Sequence, residues 1–103
     1  MTLATTEEGF LLDWQSWNET VAAELAAREA IQLSEAHWEV IYCIRNFYAR
    51  YDYLPDMRIF VKALRLELGE EKGNTPYLYR LFREAPLKLA CKIGGLPKPS
   101  SCI

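Results

Sequence analysis

The sequence predicts a mostly α fold: a small orthogonal bundle of about five helices with a non-helical C-terminal arm. Three observations carry this expectation. The chain has 103 residues, half of them apolar and a quarter charged, which suits one small domain. Apolar residues recur at helical spacing over several long stretches. Helix-starting residues stand in front of those stretches, and glycines and prolines close them.

The elements follow in order. Glu8-Gly9-Phe10-Leu11 reads as a turn into a short extended piece, too isolated to predict a sheet. Asn18 is a natural N-cap for a helix holding Val21, Leu25 and the Ala-rich stretch to Arg28. Ser34 opens a second helix over Glu35 to Tyr51, with Leu33 and Trp38 at the positions of a hydrophobic staple. Trp38, Ile41, Tyr48 and Tyr51, widened by Val40, Ile44 and Phe47, give it the broadest apolar face, so it is expected to be the central helix. Trp14, Trp17 and the tyrosines are read as core.

Pro55 closes that segment and Asp56 caps the next. Met57, Phe60, Val61, Leu64 and Leu68 share one helical face, and Gly69 supplies the stop. A polar link, 70–74, leads to Thr75-Pro76, read as N-cap and first-turn proline for a helix through Phe82. Pro86 opens a last short helix, Leu87 to Ile93, broken by Gly94-Gly95. The domain is thus expected to span 1–93 and the arm 94–103. Pro97 and Pro99 lack amide hydrogens and fix their own φ, so the arm cannot prolong the helix.

Composition excludes several functions. No apolar run approaches the ~20 residues that cross a bilayer, and the N-terminus lacks a signal-peptide pattern, so a cytoplasmic protein without membrane contact is expected. The lone histidine, His37, suits a surface or helix-capping position better than a ligand set. With no CxxC pair either, no metal and no cofactor are expected. Residues 1–55 carry 3 basic and 9 acidic side chains, whereas 56–103 carry 9 basic and 5 acidic. Such asymmetry suggests an acidic partner meeting the C-terminal half. Direct nucleic-acid binding is not expected of a monomeric chain with net charge −2.

The chemistry lies in the cysteines. Cys43 sits within the apolar second helix and reads as core. Cys91 and Cys102 flank a Gly-Gly…Pro-x-Pro arm. With Gly94 and Gly95 as hinge, an extended arm carries the Cys102 sulfur roughly 36 Å from Cys91. Closing the same arm into a loop costs about 3 kcal/mol of chain entropy, which a partner binding the extended arm can overcome. The arm therefore suits a thiol delivered to another protein and resolved by a second, internal thiol. Its ionisation needs help, because the thiolate is the nucleophile and a free thiol titrates near pH ~8.5. Lys98, and Arg58 and Lys62 on a neighbouring helix, are the candidate supports. A second reading takes Met57–Leu68 and Thr75–Phe82 as a helix-turn-helix DNA reader, although a six-residue link is long for that motif.

The run from Cys91 through Cys102, with its Leu96-Pro97-Lys98-Pro99 core, closely resembles the C-terminal signature of the DsrC/TusE/DsvC family of sulfur-relay proteins. The likeness continues upstream through Ser34-x-x-His37-Trp38-Glu39-Val40-Ile41, Pro55-x-x-Arg58, Lys62-Ala63, Glu71-Lys72-Gly73-Asn74 and Tyr77-Leu78-Tyr79-Arg80-Leu81-Phe82. The resemblance implies a helical domain with a small N-terminal hairpin and a mobile arm, in which Cys102 accepts a persulfide sulfur and passes it on. In the DsrC branch Cys91 would join it in a disulfide, with DsrEFH as donor and dissimilatory sulfite reductase as partner. In the TusE branch the donor would be TusBCD and the acceptor a tRNA 2-thiouridylase. TusE proteins commonly lack the inner cysteine, so Cys91 tilts the expectation toward DsrC-like chemistry. Departures are a short N-terminus, Phe82-Arg83-Glu84-Ala85-Pro86 in place of the family's Phe-Pro-x-Gly-Pro, and Gly94 where alanine is frequent.

Overall fold

A computed structural model describes residues 3–83 and 85–99. They hold five α-helices: α1 (Glu19–Arg28), α2 (Glu35–Tyr51), α3 (Met57–Leu68), α4 (Thr75–Phe82) and α5 (Pro86–Ile93), preceded by a 3-10 turn at Trp14–Ser16. The side chains of Asn18 and Asp56 cap α1 and α3 by accepting from the amides of Val21 and Ile59. Helix α4 differs from the sequence expectation by one residue. Asn74, not Thr75, is its N-cap, accepting from the Tyr77 amide at 2.9 Å while its own amide group donates to the carbonyls of Glu70 and Glu71. A side chain that ties cap and link together outcompetes a hydroxyl that serves only the cap.

His37 fills the helix-capping role suggested for it but not the surface one. At the third position of α2 its Nδ1 accepts from the Ser34 amide at 3.1 Å, and its Nε2 donates to the Leu81 carbonyl at 2.7 Å. Those two partners assign the proton to Nε2. One imidazole thus closes the start of α2 and ties it to the end of α4. It is buried rather than exposed, and Phe82 packs edge-on against it.

The N-terminal hairpin is reduced to a single antiparallel bridge, Thr5 to Leu11, and the described residues contain no strand. Its turn is nevertheless well bonded, from the Thr6 amide to the Phe10 carbonyl at 2.7 Å and from the Phe10 amide to the Thr6 hydroxyl at 3.1 Å. Phe10 and Leu11 follow it into the interior.

The most connected helix is α5, not α2. It packs on α1, α2 and α4, whereas α3 packs on α2. Five of its eight residues are buried, among them Ala90, Cys91 and Ile93 with no exposed surface. Periodicity ranks faces by width, and an eight-residue helix cannot display a wide one. On α2 the buried face runs through His37, Val40, Ile41 and Ile44, and Tyr51 drifts off it into solvent. Among the described residues no helix is long and apolar enough to cross a membrane.

Candidate functional site

The candidate site grows from the C-terminal end of α5. Cys91 lies on this helix with its side chain in the hydrophobic core. Cys102 lies outside the described residues, so the inner thiol and the root of the arm are what the structure places.

Gly94 and Gly95 were expected to act as a hinge; here they form the cap of α5. Gly95 takes a positive φ of 72°, its amide bonds the Lys92 carbonyl at 3.2 Å, and the Leu96 amide bonds the Cys91 carbonyl at 2.9 Å. This is a Schellman motif, with Leu96 fully buried as its apolar lock. A side chain at Gly95 would also collide with Trp17, whose Cδ1 stands 2.4 Å from the place of a Cβ.

The carbonyls at this helix end are all engaged, as burial demands. Trp17 Nε1 donates to the Ile93 carbonyl at 2.9 Å, and Arg45 Nη1 donates to the Gly94 carbonyl at 2.7 Å. Arg45 also donates to the Trp14 carbonyl at 3.2 Å and lies over two indoles, 5.2 Å from the Trp14 ring and 4.1 Å from that of Trp17. Burial lowers the Arg45 pKa from its ordinary value, opposed by Tyr42. Sequence reading missed Arg45. Its signal was a cation directly after the run Val40-Ile41-Tyr42-Cys43-Ile44 on the same helix, a position that calls for buried acceptors.

Beyond Leu96, Pro97 and Lys98 are exposed and Pro99 is buried. Lys98 Nζ meets Glu8 Oε2 at 2.7 Å, joining the arm to the N-terminal turn. That hydrogen bond, then the Lys98 charge, holds the Glu8 carboxyl below the usual glutamate range. Lys98 is therefore engaged with a carboxylate. Arg58 and Lys62 are exposed on α3, across α2 from the root of the arm. Cys43 is buried as expected; burial first, and the Glu67 carboxylate second, push its thiol pKa well up, which makes it a poor nucleophile. Among the described residues no group of three or more His, Cys, Asp or Glu could hold a metal ion.

The family model described as "DsrC like protein" matches residues 1–103. The chain belongs to the DsrC-like family. Among curated relatives, the sulfurtransferase TusE of Sodalis glossinidius is 52% identical over 101 residues, covering 98% of this chain and 94% of the relative. TusE of Pectobacterium atrosepticum is 50% identical over 102 residues, covering 99% and 94%. Among solved structures, Allochromatium vinosum DsrC superposes with a TM-score of 0.90 at 41% identity, over 100% of this chain and 92% of that one. The oxidized DsrC, the gamma-subunit of dissimilatory sulfite reductase from Archaeoglobus fulgidus, gives 0.85 at 39%, over 100% and 94%. The described residues thus share the DsrC fold; before α5, Arg83 takes a φ of 60° and donates to the Ala30 carbonyl.

Proposed function

We propose that this sulfur-relay protein of the DsrC-like family carries sulfur as a persulfide on Cys102, with Cys91 as the resolving thiol. The observation that carries the reading is the family match over residues 1–103, with Cys91, Leu96-Pro97-Lys98-Pro99 and Cys102 all present. Loading is a thiol exchange. The Cys102 thiolate attacks the outer sulfur of a donor persulfide, an S–S bond forms on Cys102, and the donor cysteine leaves as a thiolate. Transfer is the same step toward an acceptor thiolate. In the resolving branch, the Cys91 thiolate attacks Cys102 Sγ. A Cys91–Cys102 disulfide forms and hydrosulfide leaves, so the carried sulfur is reduced by two electrons and the two thiols are oxidised.

The partners in this reading are a donor complex of the TusBCD or DsrEFH type and an acceptor such as a tRNA 2-thiouridylase or dissimilatory sulfite reductase, all in the cytoplasm. Curated relatives at 48–52% identity carry the TusE name, against 39% and 41% for two DsrC structures, which favours tRNA thiolation. The inner thiol Cys91 favours the DsrC-like reaction, and both branches use the same loading step.

Intact-protein mass spectrometry after treatment with a persulfide donor tests the reading. One added sulfur atom on the wild type and on Cys91→Ser, absent from Cys102→Ala, is expected. Loading that persists in Cys102→Ala overturns it. Hydrosulfide release should be lost in Cys91→Ser, and its persistence there removes Cys91 from the mechanism.

A further inference from the structure

Most cations of this chain already have partners. Lys72 pairs with Glu39, Lys92 with Glu29, Lys98 with Glu8 and Arg28 with Glu24. Arg45 and Arg83 donate to backbone carbonyls, and Arg50 and Arg80 lie over the rings of Tyr51 and Tyr77. Arg58, Lys62, Arg65 and Lys88 do not follow this pattern: no carboxylate among the described residues forms an ion pair with any of them. Lys88 is half-buried on α5, whereas the three α3 cations are exposed and stand at i, i+4 and i+7, so they line one face over about 10 Å.

Grooves flank that face. On the α4 side, Met57, Val61 and Thr75 join the three cations around a hollow of about 580 Å³. On the α2 side a groove of about 400 Å³ is lined by Phe47, Tyr51, Ile59, Ala63 and Leu66, with Lys62 shared between the two. Glu67 also borders this groove, where it acts on Cys43. Leu66 is 81% exposed and Ile59 42%, and both line the α2-side groove, giving it an apolar rim.

We propose that the outer face of α3 docks an acidic amphipathic helix of a partner protein. Its apolar side chains would enter the α2–α3 groove, and its carboxylates, spaced by helical turns, would meet Arg58, Lys62 and Arg65. Charge complementarity selects the occupant. A phosphate backbone has nothing to set against Ile59 and Leu66, and residues 1–55, with 9 acidic and 3 basic side chains, repel a long polyanion. A single acidic helix stays within the basic face and finds both kinds of contact.

The face also lies apart from the arm. On α2, Ile41, Arg45 and Tyr48 turn toward the Trp14–Trp17 clamp and the cap of α5, whereas Cys43, Phe47 and Arg50 turn toward α3. The carrier therefore holds one partner on α3 while the arm engages another. This deepens the relay reading and rests on it for the nature of the partner.

The test uses a synthetic amphipathic helical peptide, with glutamates at i, i+4 and i+7 beside two leucines, titrated into isotope-labelled Cys102→Ala protein. Because no thiol chemistry takes part, failure here is separate from failure of persulfide loading. Amide shifts concentrated in 57–68 and 46–51, with affinity falling about tenfold or more in Lys62→Glu and in Arg58→Glu/Arg65→Glu, support the proposal. The glutamine version of the peptide should bind more weakly, and salt should weaken the acidic one. The absence of a response, shifts elsewhere, or tighter binding at the same residues by a DNA duplex overturns it. Circular dichroism of the variants confirms that the fold survives exposed substitutions.

Discussion

The two sides of α2 use the same chemistry to opposite ends. On one side Arg45 is half-buried, held between two indoles and donating to two carbonyls. On the other, across the groove, Arg58 and Arg65 stand in solvent without an ion pair among the described residues. A guanidinium whose donors are used inside the molecule is a structural part, and one whose donors face water is available to a partner. Sequence alone shows three arginines on amphipathic helices; only the acceptors around each one separate these roles.

The largest effect should come from Gly95→Ala, which sharpens the contrast by breaking the clamped side without touching a charge. The new methyl group meets Trp17 at 2.4 Å and sits at a φ of 72°. The left-handed conformation and the overpacking together should cost about 2–4 kcal/mol, read as a lower midpoint in urea. Arg45→Ala follows at about 2–3 kcal/mol, because the Gly94 and Trp14 carbonyls lose their donor and the space between the indoles empties. Arg58→Ala is the control on the open side and should stay within about 0.5 kcal/mol of wild type. Equal losses for Arg45→Ala and Arg58→Ala would erase the distinction.

The smallest effect is electrostatic. The Glu8 pKa is lowered in the folded state, so its contribution is fully present above the ordinary glutamate value near 4.5 and is lost as pH falls through the depressed one. Both ends of the Lys98–Glu8 pair are exposed, so the consequence for global stability is slight. The amide resonance of Lys98 should shift across that acidic window in the wild type and not in Glu8→Gln. A shift that persists in Glu8→Gln assigns the titration to another group.

The helices were largely legible because their ends are written in short-range chemistry. Asn18, Ser34, Asp56 and Pro86 each mark a start that depends on a few neighbouring residues. The Asn74 cap was displaced from Thr75 because its strength comes from bonds to the preceding link. The centrality of α5 was not legible, since it depends on three other helices arriving around eight residues. Gly94-Gly95 illustrates the same limit. A glycine pair after a helix signals freedom when read alone, and becomes a cap once Trp17 and Arg45, distant in sequence, close over it. Cys43 was legible as core from its apolar surroundings. Cys91 and Cys102 stood out only as a pair, and their assigned roles came through the family resemblance.

The clamp over the α5 cap shortens the leash. With Leu96 sealed in the interior, the six residues to Cys102 span at most about 20 Å when fully stretched, against roughly 36 Å had the chain been loose from Cys91 onward. A receiving pocket within that distance can be reached with the domain intact. A deeper one would first have to prise Leu96 from its seat and strip two indole-bound contacts. Depth of insertion is thereby tied to the integrity of the fold, and a partner that reaches further must unfasten part of the carrier.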